Sequence, residues 1–570
     1  MSAISSSIQV DHRPAGLTPV WGKTHLAARR LEQATWAFVG LGVLLRIARY
    51  SMNCPLWWDE AFVAVNFIRR DYLDLLRPLD YGQVCPILFL WAELTFVKLL
   101  GFSEWSLRLF PLGCALAGVV LFRHVAGRVV RGLPLLMAVA IFAVSYHPIR
   151  HAADVKPYAS DLLASLALLA AALHWLRTPN RAGWMWGLAA IAPVAVSLSH
   201  PAVFVAGGIV LALAPAVAKA RRREVWIAYA TFFLSTVGMF LALYAFFTRA
   251  QAAATLTAMQ AQWGAAFPPL DDPIKLARWL VTVHTGSMFA YPCGGERGAS
   301  SLTLLLFALG AALLWYRRQR VIVLTCLVPF GVALAAAAIR RYPYGGVADG
   351  SPARVMQYLV PSICLLAGLG SAALFAMIRD PRLRLRAVRA GLFFLAGVGL
   401  VPLAAESFHP YRTVHAQRAR QFARRFWPEI GRGAEPVCLR WDLGLGEWNS
   451  ANLNVAVYLC NQMIYSPQRR HGRKPQWRNV SGNRPLRCVL PLSDPAEAPV
   501  AAWLEAMKKG YRLRECRMLV VDMAEPKALP RTEHYVLYEF VPKGVGSRDR
   551  GEGDPIRSAS APRTGETTRE

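Results

Sequence analysis

Charge, and acid most of all, is what this sequence has little of. Only 17% of its 570 residues are Asp, Glu, Lys or Arg, where a soluble domain carries about a quarter. Within that small set, 35 acids face 64 Lys and Arg, so the net charge is +29. An excess of that size could serve nucleic acid. Here, however, the bases sit in short loops between long apolar runs, which is the mark of membrane orientation, and no nucleic-acid role is read from them. The opening of the chain lacks the charge–apolar–cleavage layout of a secretory leader. Residues 1–33, polar with scattered Arg13, Lys23, Arg29 and Arg30, read as a cytoplasmic tail. No internal repeat is visible. The tail cysteines Cys438, Cys460, Cys488 and Cys516 contain no CxxC, so no zinc pattern is expected there, although an oxidising compartment would let them, or Cys54 and Cys85, form disulfides.

What the chain does have is apolar length: 55% of its residues are hydrophobic. Runs able to cross a bilayer occur at 35–52, 105–125, 133–146, 162–176, 184–199, 202–217, 225–247, 302–315, 321–338, 355–377 and 391–404. The loops holding Arg128 and Arg131, Arg177 and Arg181, Lys219 with Arg221 to Arg223, Arg317 to Arg320, and Arg379 to Arg389 then all fall on one side. This pattern predicts an all-α polytopic membrane protein with about 11 transmembrane helices. It places Asp59, Asp154, His200, Tyr342 and Arg354 on the outer face. Arg46 and Arg49, near the outer end of the first span, break the trend and are expected to snorkel. The transmembrane module covers 34–404. Residues 405–543 form a small C-terminal α/β domain, with strands at 437–439, 462–465, 488–490, 518–522 and 535–540 and helices at 449–459 and 499–509. Residues 544–570 are rich in Gly, Ser, Arg and Glu and read as disordered.

Three outer loops carry chemistry. The first, just past the first span, reads Leu56-Trp57-Trp58-Asp59-Glu60-Ala61. Tryptophan favours the membrane–water interface. A pair of acids at that depth is costly and points to a functional site, although the two could also be solvated residues capping a short helix over 61–70. Stretches 60–71 and 86–100 look like amphipathic helices on the membrane surface. The second loop reads His151-Ala-Ala-Asp154-Val-Lys156-Pro157-Tyr158, where Pro157 forces an extended or turn backbone before the next span and fixes the approach of Lys156 and Tyr158. Lys156 could equally meet lipid headgroups. The third, Arg340-Arg341-Tyr342-Pro343-Tyr344-Gly345-Gly346 followed by Arg354, sets arginines and tyrosines where a phosphate could bind. It also reads as an interfacial aromatic belt.

Taken together, the WWDEA opening, the HAADVKPYASD loop and the RYPYGG…R segment resemble the membrane-integral glycosyltransferases of the GT-C type. The branch is the bacterial one that includes the aminoarabinose transferases and protein O-mannosyltransferase-like enzymes. The resemblance covers 35–404 and nothing of the tail. It implies a polyprenyl-phosphate-linked sugar as donor, a glycan, lipid or protein as acceptor, and a place in the cell (inner) membrane with an extracytoplasmic active site. Asp59 matches the family's catalytic aspartate in the first loop and Asp154 its second-loop acid. Glu60 is the third catalytic candidate and is expected to position the loop. Lys156 and Arg354 are placed like the donor-phosphate binders, with Tyr158 and Arg340 beside them and His151, His200 and Tyr342 as further candidates. One departure is that His151-Ala-Ala-Asp154 stands where many relatives carry Ser-Gln-Glu.

The chemistry suits these residue types. A phosphate leaving group needs cations more than a general acid, and the acceptor hydroxyl needs one carboxylate base. The expectation is transfer with inversion. No cofactor is identified, and a divalent metal is left open. A transporter or flippase of lipid-linked sugars is the alternative. Such proteins place charge near the bilayer midplane and often show repeats, whereas here the middles of the spans are nearly free of acid. Cysteine-accessibility labelling tests the orientation: a probe outside intact cells should reach a cysteine placed near Ser493, and one within 379–389 only after membrane disruption. The reverse pattern overturns the map of the site.

Overall fold

The computed structural model describes residues 25–253, 263–286, 288–294, 299–345, 354–411, 413–426, 434–436, 486–491, 504–505, 507–522 and 532–543. Every apolar run of the sequence becomes a helix. In chain order these are α1 (His25–Ser51), then α2 (Trp58–Ala64), α3 (Asn66–Arg69) and α4 (Ile87–Leu100) in the first connection, followed by α5 (Leu109–Val129), α6 (Leu133–Val144), α7 (Tyr146–Arg150), α8 (Tyr158–Arg177), α9 (Gly183–Leu198), α10 (Ala202–Val217) and α11 (Arg223–Leu243). Next come α12 (Arg249–Ala253), α13 (Pro273–Thr285), α14 (Ala299–Tyr316), α15 (Arg320–Ala338), α16 (Val360–Met377), α17 (Pro381–Phe408) and α18 (Val414–Arg425). Among the described residues, seven helices have the length and apolarity to cross a membrane, and α6 with α7 makes an eighth bent by 50°. The apolar helices α9, α10 and α14 are shorter. These are the eleven runs read from the sequence, and the chain is a multi-pass membrane protein.

The bundle is built around α6. Every residue from Leu133 to Val144 is buried, which is what a helix apolar on all faces requires. It is packed by α1, α5, α16 and α17. Small residues bring the backbones together: a Cβ on Gly368 would overlap the Ala138 backbone, and one on Gly310 or Gly370 would overlap the Leu366 or Leu306 carbonyl between α14 and α16. The same closeness explains Arg46, which does not snorkel. It is 1% exposed and donates to the Gly42 and Ala143 carbonyls at 2.9 and 3.0 Å, because α1 passes so near α6 that the Ala143 carbonyl lies within reach. Arg49 is likewise engaged, by Glu406 at 2.7 Å.

The first connection differs in part from two surface helices. Residues 60–71 break into α2, α3 and turns, whereas α4 is continuous and lays Phe89, Leu90 and Leu94 into an apolar cluster with Leu56, Phe62 and Leu75. Ala419 and Ala423 of α18 close that cluster, joined by Leu519 of the C-terminal sheet.

The sheet has four strands in the order β1-β2-β4-β3: β1 (Ala434–Pro436), β2 (Leu486–Pro491), β3 (Tyr511–Asp522) and β4 (Thr532–Pro542). β1 and β2 are parallel, and the other pairs antiparallel with an irregularity at Leu513/Glu515. The strands expected at 437–439 and 462–465, the helix at 449–459 and the disordered segment at 544–570 lie outside the described residues. Cys54, Cys85 and Cys516 are free thiols.

Close helix contact generates a test. Gly370→Val should cost at least 1–3 kcal/mol, because the new side chain meets a carbonyl of α14 that cannot move aside. Gly397→Val, with nothing within 4 Å of its Cβ, should be neutral. Thermal unfolding of the two purified variants in one detergent compares them directly.

Candidate functional site

The chain leaves the bundle at the end of α1 through Asn53, whose φ of 43° is left-handed backbone that asparagine tolerates well. Pro55 bars the helix from continuing, and Trp57 in extended conformation starts α2. Asp59 and Glu60 therefore fall in the first turn of α2, where the helix dipole favours carboxylates. As neighbours on a helix they point about 100° apart, and they enter different environments.

Glu60 is 1% exposed and faces Arg108, at the mouth of α5, through contacts of 3.0 and 3.1 Å to its two oxygens. The Val155 N–H donates to it at 2.9 Å and the Trp57 N–H at 3.2 Å, the latter being the backward reach of a capping box. Burial pushes this carboxyl up, while Arg108 and the two backbone donors pull the other way. With that many donors we take it as ionised. Arg108 also donates to the Cys54 and Pro55 carbonyls. Glu60 thus ties the first loop, the second loop and the start of α5 into one block, and both its oxygens are committed to that task.

Asp59, 8% exposed, meets Lys156 Nζ at 2.8 Å and Arg354 Nη2 at 3.5 Å. Lys156 donates as well to Gln83 at 2.7 Å. The Arg354 guanidinium lies 4.9, 6.0 and 5.9 Å from the rings of Trp57, Tyr158 and Trp263. A desolvated cation in such a cage gains about 2 kcal/mol or more per good contact. The second loop delivers Lys156 through an extended Asp154; Val155, between the two, is fully buried and holds the segment down. Tyr158 begins α8. Arg354 opens the turn Arg354–Leu359 ahead of α16, anchored where Ser165 Oγ donates to the Tyr358 carbonyl at 2.7 Å.

Asp154 accepts from His151 Nδ1 at 2.6 Å. It lines, with Glu60, a small cleft whose wall also includes Trp57, Arg108 and Arg150. The bend after α6 aims this segment. Ser145 is extended, its Oγ donates to the Ile141 carbonyl at 2.7 Å, and the His151–Ala153 turn follows α7 at the end of the bundle.

Asp59, Glu60, Asp154, Lys156, Tyr158, His151 and Arg354 are therefore brought together, as three loops far apart in sequence. Tyr342 supports them from behind, donating to the Val355 carbonyl at 2.9 Å. Arg340 is exposed, with φ 55° at the end of α15. His200 sits between α9 and α10 against Cys85. Burial pushes its imidazole down to about 4 against the pull of the Cys85 backbone, so it is neutral at pH 7.

No motif marks Arg108, Gln83 or Trp263 in the sequence, and only the structure brings them to the site. Arg108 has one signal, a lone cation at the mouth of an apolar helix. Glu93 on α4 has none. It is fully buried, neither oxygen has a hydrogen-bond partner among the described residues, and burial, then the Glu60 charge, push it well above the ordinary carboxyl range. Its surroundings favour the protonated, neutral form. Among the described residues no three His, Cys, Asp or Glu side chains gather so as to hold a metal ion.

No family model matches the chain, and no curated protein does. Solved structures do. ArnT from Cupriavidus metallidurans in the apo state aligns over 88% of this chain and 97% of its own, with a TM-score of 0.50 and 13% identity. The same protein bound to undecaprenyl phosphate aligns over the same shares with a TM-score of 0.46 and 14% identity. The oligosaccharyltransferase AglB from Archaeoglobus fulgidus, complexed with an inhibitory peptide and a dolichol-phosphate, aligns over 69% of this chain and 58% of its own, with a TM-score of 0.42 and 11% identity. The likeness to apo ArnT shows the fold, that of the GT-C type with an added C-terminal domain.

Glu60→Gln keeps shape but strips the charge opposite Arg108. Breaking a buried pair in this way costs about 3–5 kcal/mol, so the variant should unfold at markedly lower temperature. Glu60→Leu with Arg108→Met should recover part of that loss. Equal melting of Glu60→Gln and the wild type would show that the pair does not hold the loops.

Proposed function

We propose that this protein is a glycosyltransferase that moves a sugar from a polyprenyl-phosphate donor to an acceptor hydroxyl at the outer face of the membrane, with inversion. The observation that carries this reading is Asp59 seated between Lys156 and Arg354 at 2.8 and 3.5 Å. One carboxylate and two cations, at the mouth of a membrane bundle of this fold, are what the reaction asks for. The cations take the donor phosphate and stabilise the charge that grows on it as the glycosidic bond breaks. Asp59, released from them as the phosphate arrives, removes the proton of the attacking hydroxyl. The caged guanidinium is held rigidly, so it needs little rearrangement when charge develops. Glu60 and Arg108 act through the backbone, by fixing where Asp59 and Lys156 stand. The phosphate cradle is Lys156 and Arg354, with Tyr158 bounding it. Arg340 is left to the approach of the anionic donor from the surface.

Two measurements test this. With purified protein and a lipid-linked sugar, Asp59→Asn should lower transfer by roughly 10²–10⁴-fold. It should leave donor binding intact or tighter, because the cations lose their resting partner. Transfer near the wild-type rate removes Asp59 from the chemistry and moves the role to Asp154. Lys156→Ala and Arg354→Ala should each weaken capture of the donor by about 1.5–3 kcal/mol, the worth of a charged hydrogen bond. Unchanged donor dependence in both would place the phosphate elsewhere.

A further inference from the structure

The helix that follows the last span is tied to the loop that carries Asp59. Thr413 caps α18, its hydroxyl accepting from the Ala416 N–H at 3.2 Å. Ala416, Ala419, Ala423 and Phe426 are buried along one face, in the spacing of an apolar stripe, while Gln421, Arg424 and Arg425 are exposed. Arg420 is the exception to this division. It lies on the alanine face, 7% exposed, where docking alone would ask for another small apolar residue. Its Nη1 donates to the Asn53 carbonyl at 2.6 Å and to Glu104 Oε2 at 3.3 Å. Asn53 is where the chain leaves α1 on left-handed backbone. The next two carbonyls, of Cys54 and Pro55, are taken by Arg108. Two guanidinium groups thus hold three consecutive carbonyls, in a stretch that lies outside any helix or strand and so needs partners from elsewhere. Each guanidinium is faced by a buried carboxylate, Arg108 by Glu60 at 3.0 Å and Arg420 by Glu104 at 3.3 Å. Glu104 acts on Arg108 as well, which joins the two pairs into one buried chain of alternating charge.

We infer that Arg420 is a positioning residue for the reaction at Asp59, and that α18, although it lies past the transmembrane module, completes the catalytic loop. This inference rests on reading Asp59 as the base. Arg108 fixes the middle and the far end of the loop, through Cys54, Pro55 and Glu60. Arg420 fixes its origin. With both ends set, the first turn of α2 presents Asp59 to Lys156 at 2.8 Å. With the origin free, α2 can pivot about Glu60. A base displaced by about 1 Å can cost about 10²-fold in rate, so this hold matters more to catalysis than to the fold. The choice of residue agrees. A methionine would fill the same space beside the alanines, but it has no donor for the Asn53 carbonyl. Leu519 of β3 shares the apolar cluster that seats Ala419 and Ala423, so the C-terminal sheet bears on the same loop through α18.

The test uses the full-length protein in nanodiscs and reads amide exchange by mass spectrometry. Glu104→Gln is the baseline, since it removes the ion pair and leaves Arg420 on the Asn53 carbonyl. Glu104→Gln with Arg420→Met then removes the donor without stranding a charge. Because an uncompensated guanidinium goes with it, this double variant should melt no lower than Glu104→Gln alone. Its 53–60 amides should nevertheless exchange roughly tenfold faster, as loss of one charged hydrogen bond allows, while those of 87–100 stay unchanged. Glu104→Gln with Arg420→Lys should keep part of the protection, and it carries the comparison should Arg420→Met not fold. Exchange in 53–60 equal to the baseline overturns the inference. So does a rise shared by 87–100, which would make Arg420 a fastener of the outer layer and nothing more. A titration with undecaprenyl phosphate separates this from the donor reading. On that reading Asp59 competes with the phosphate for Lys156 and Arg354. The Arg420→Met double variant should therefore bind the lipid about threefold more tightly, and the gain should vanish in an Asp59→Asn background. Faster exchange with unchanged affinity leaves Arg420 as the anchor of the loop and instead overturns the reading of Asp59 and its cations as the phosphate site.

Discussion

The buried contact between Glu60 and Arg108 is the constraint on which the site depends. It takes two ionised groups out of water, at a cost that only several hydrogen bonds offset, and here those bonds come from the Val155 N–H, the Trp57 N–H and the Cys54 and Pro55 carbonyls. Each bond belongs to a segment that must be in register for the site to exist. Satisfying one carboxylate therefore fixes α2, the 151–158 loop and the start of α5 at once. Asp59 and Lys156 are then brought to 2.8 Å with no freedom left in their backbones.

The bundle makes this possible by being rigid where it is crowded. Glycines on α16 let backbones of α6 and α14 touch, and α6 itself is buried from end to end. The bend at Ser145 turns a straight span into a span plus a short helix that leads into the His151–Ala153 turn of the site. The site thus stands on packed helices with loops tied to them, the arrangement that holds reacting groups most accurately.

Apolar runs and the side of the basic loops make the spans legible, because an almost uncharged stretch of that length suits a bilayer core and little else. The three loops are legible from their acids, bases and aromatics, and seven candidates from those loops are neighbours in space. The fates of Arg46 and Arg340 are not legible. Arg46 finds carbonyls only because Gly42 admits α6 closely, and Arg340 ends α15 exposed, on left-handed backbone. Neither fact is written in a local pattern. Arg108 is hidden for the same reason: its value lies in a partner 48 residues away. Glu93 reads in sequence as part of an apolar surface helix, and its complete burial is seen only in the fold.

Seating Asp59 between Lys156 and Arg354 also makes the compartment an ion exchanger. At rest the three groups carry one net positive charge. On the proposed chemistry, a sugar phosphodiester brings one negative charge and makes the centre electroneutral. Transfer leaves a phosphate dianion, and the proton taken by Asp59 keeps the total at zero. Neutrality fails only afterwards, when that proton departs to water and a buried centre holds one negative charge too many. Repulsion from the regenerated carboxylate then falls on the spent carrier, so the same residue that starts the cycle would help expel its product.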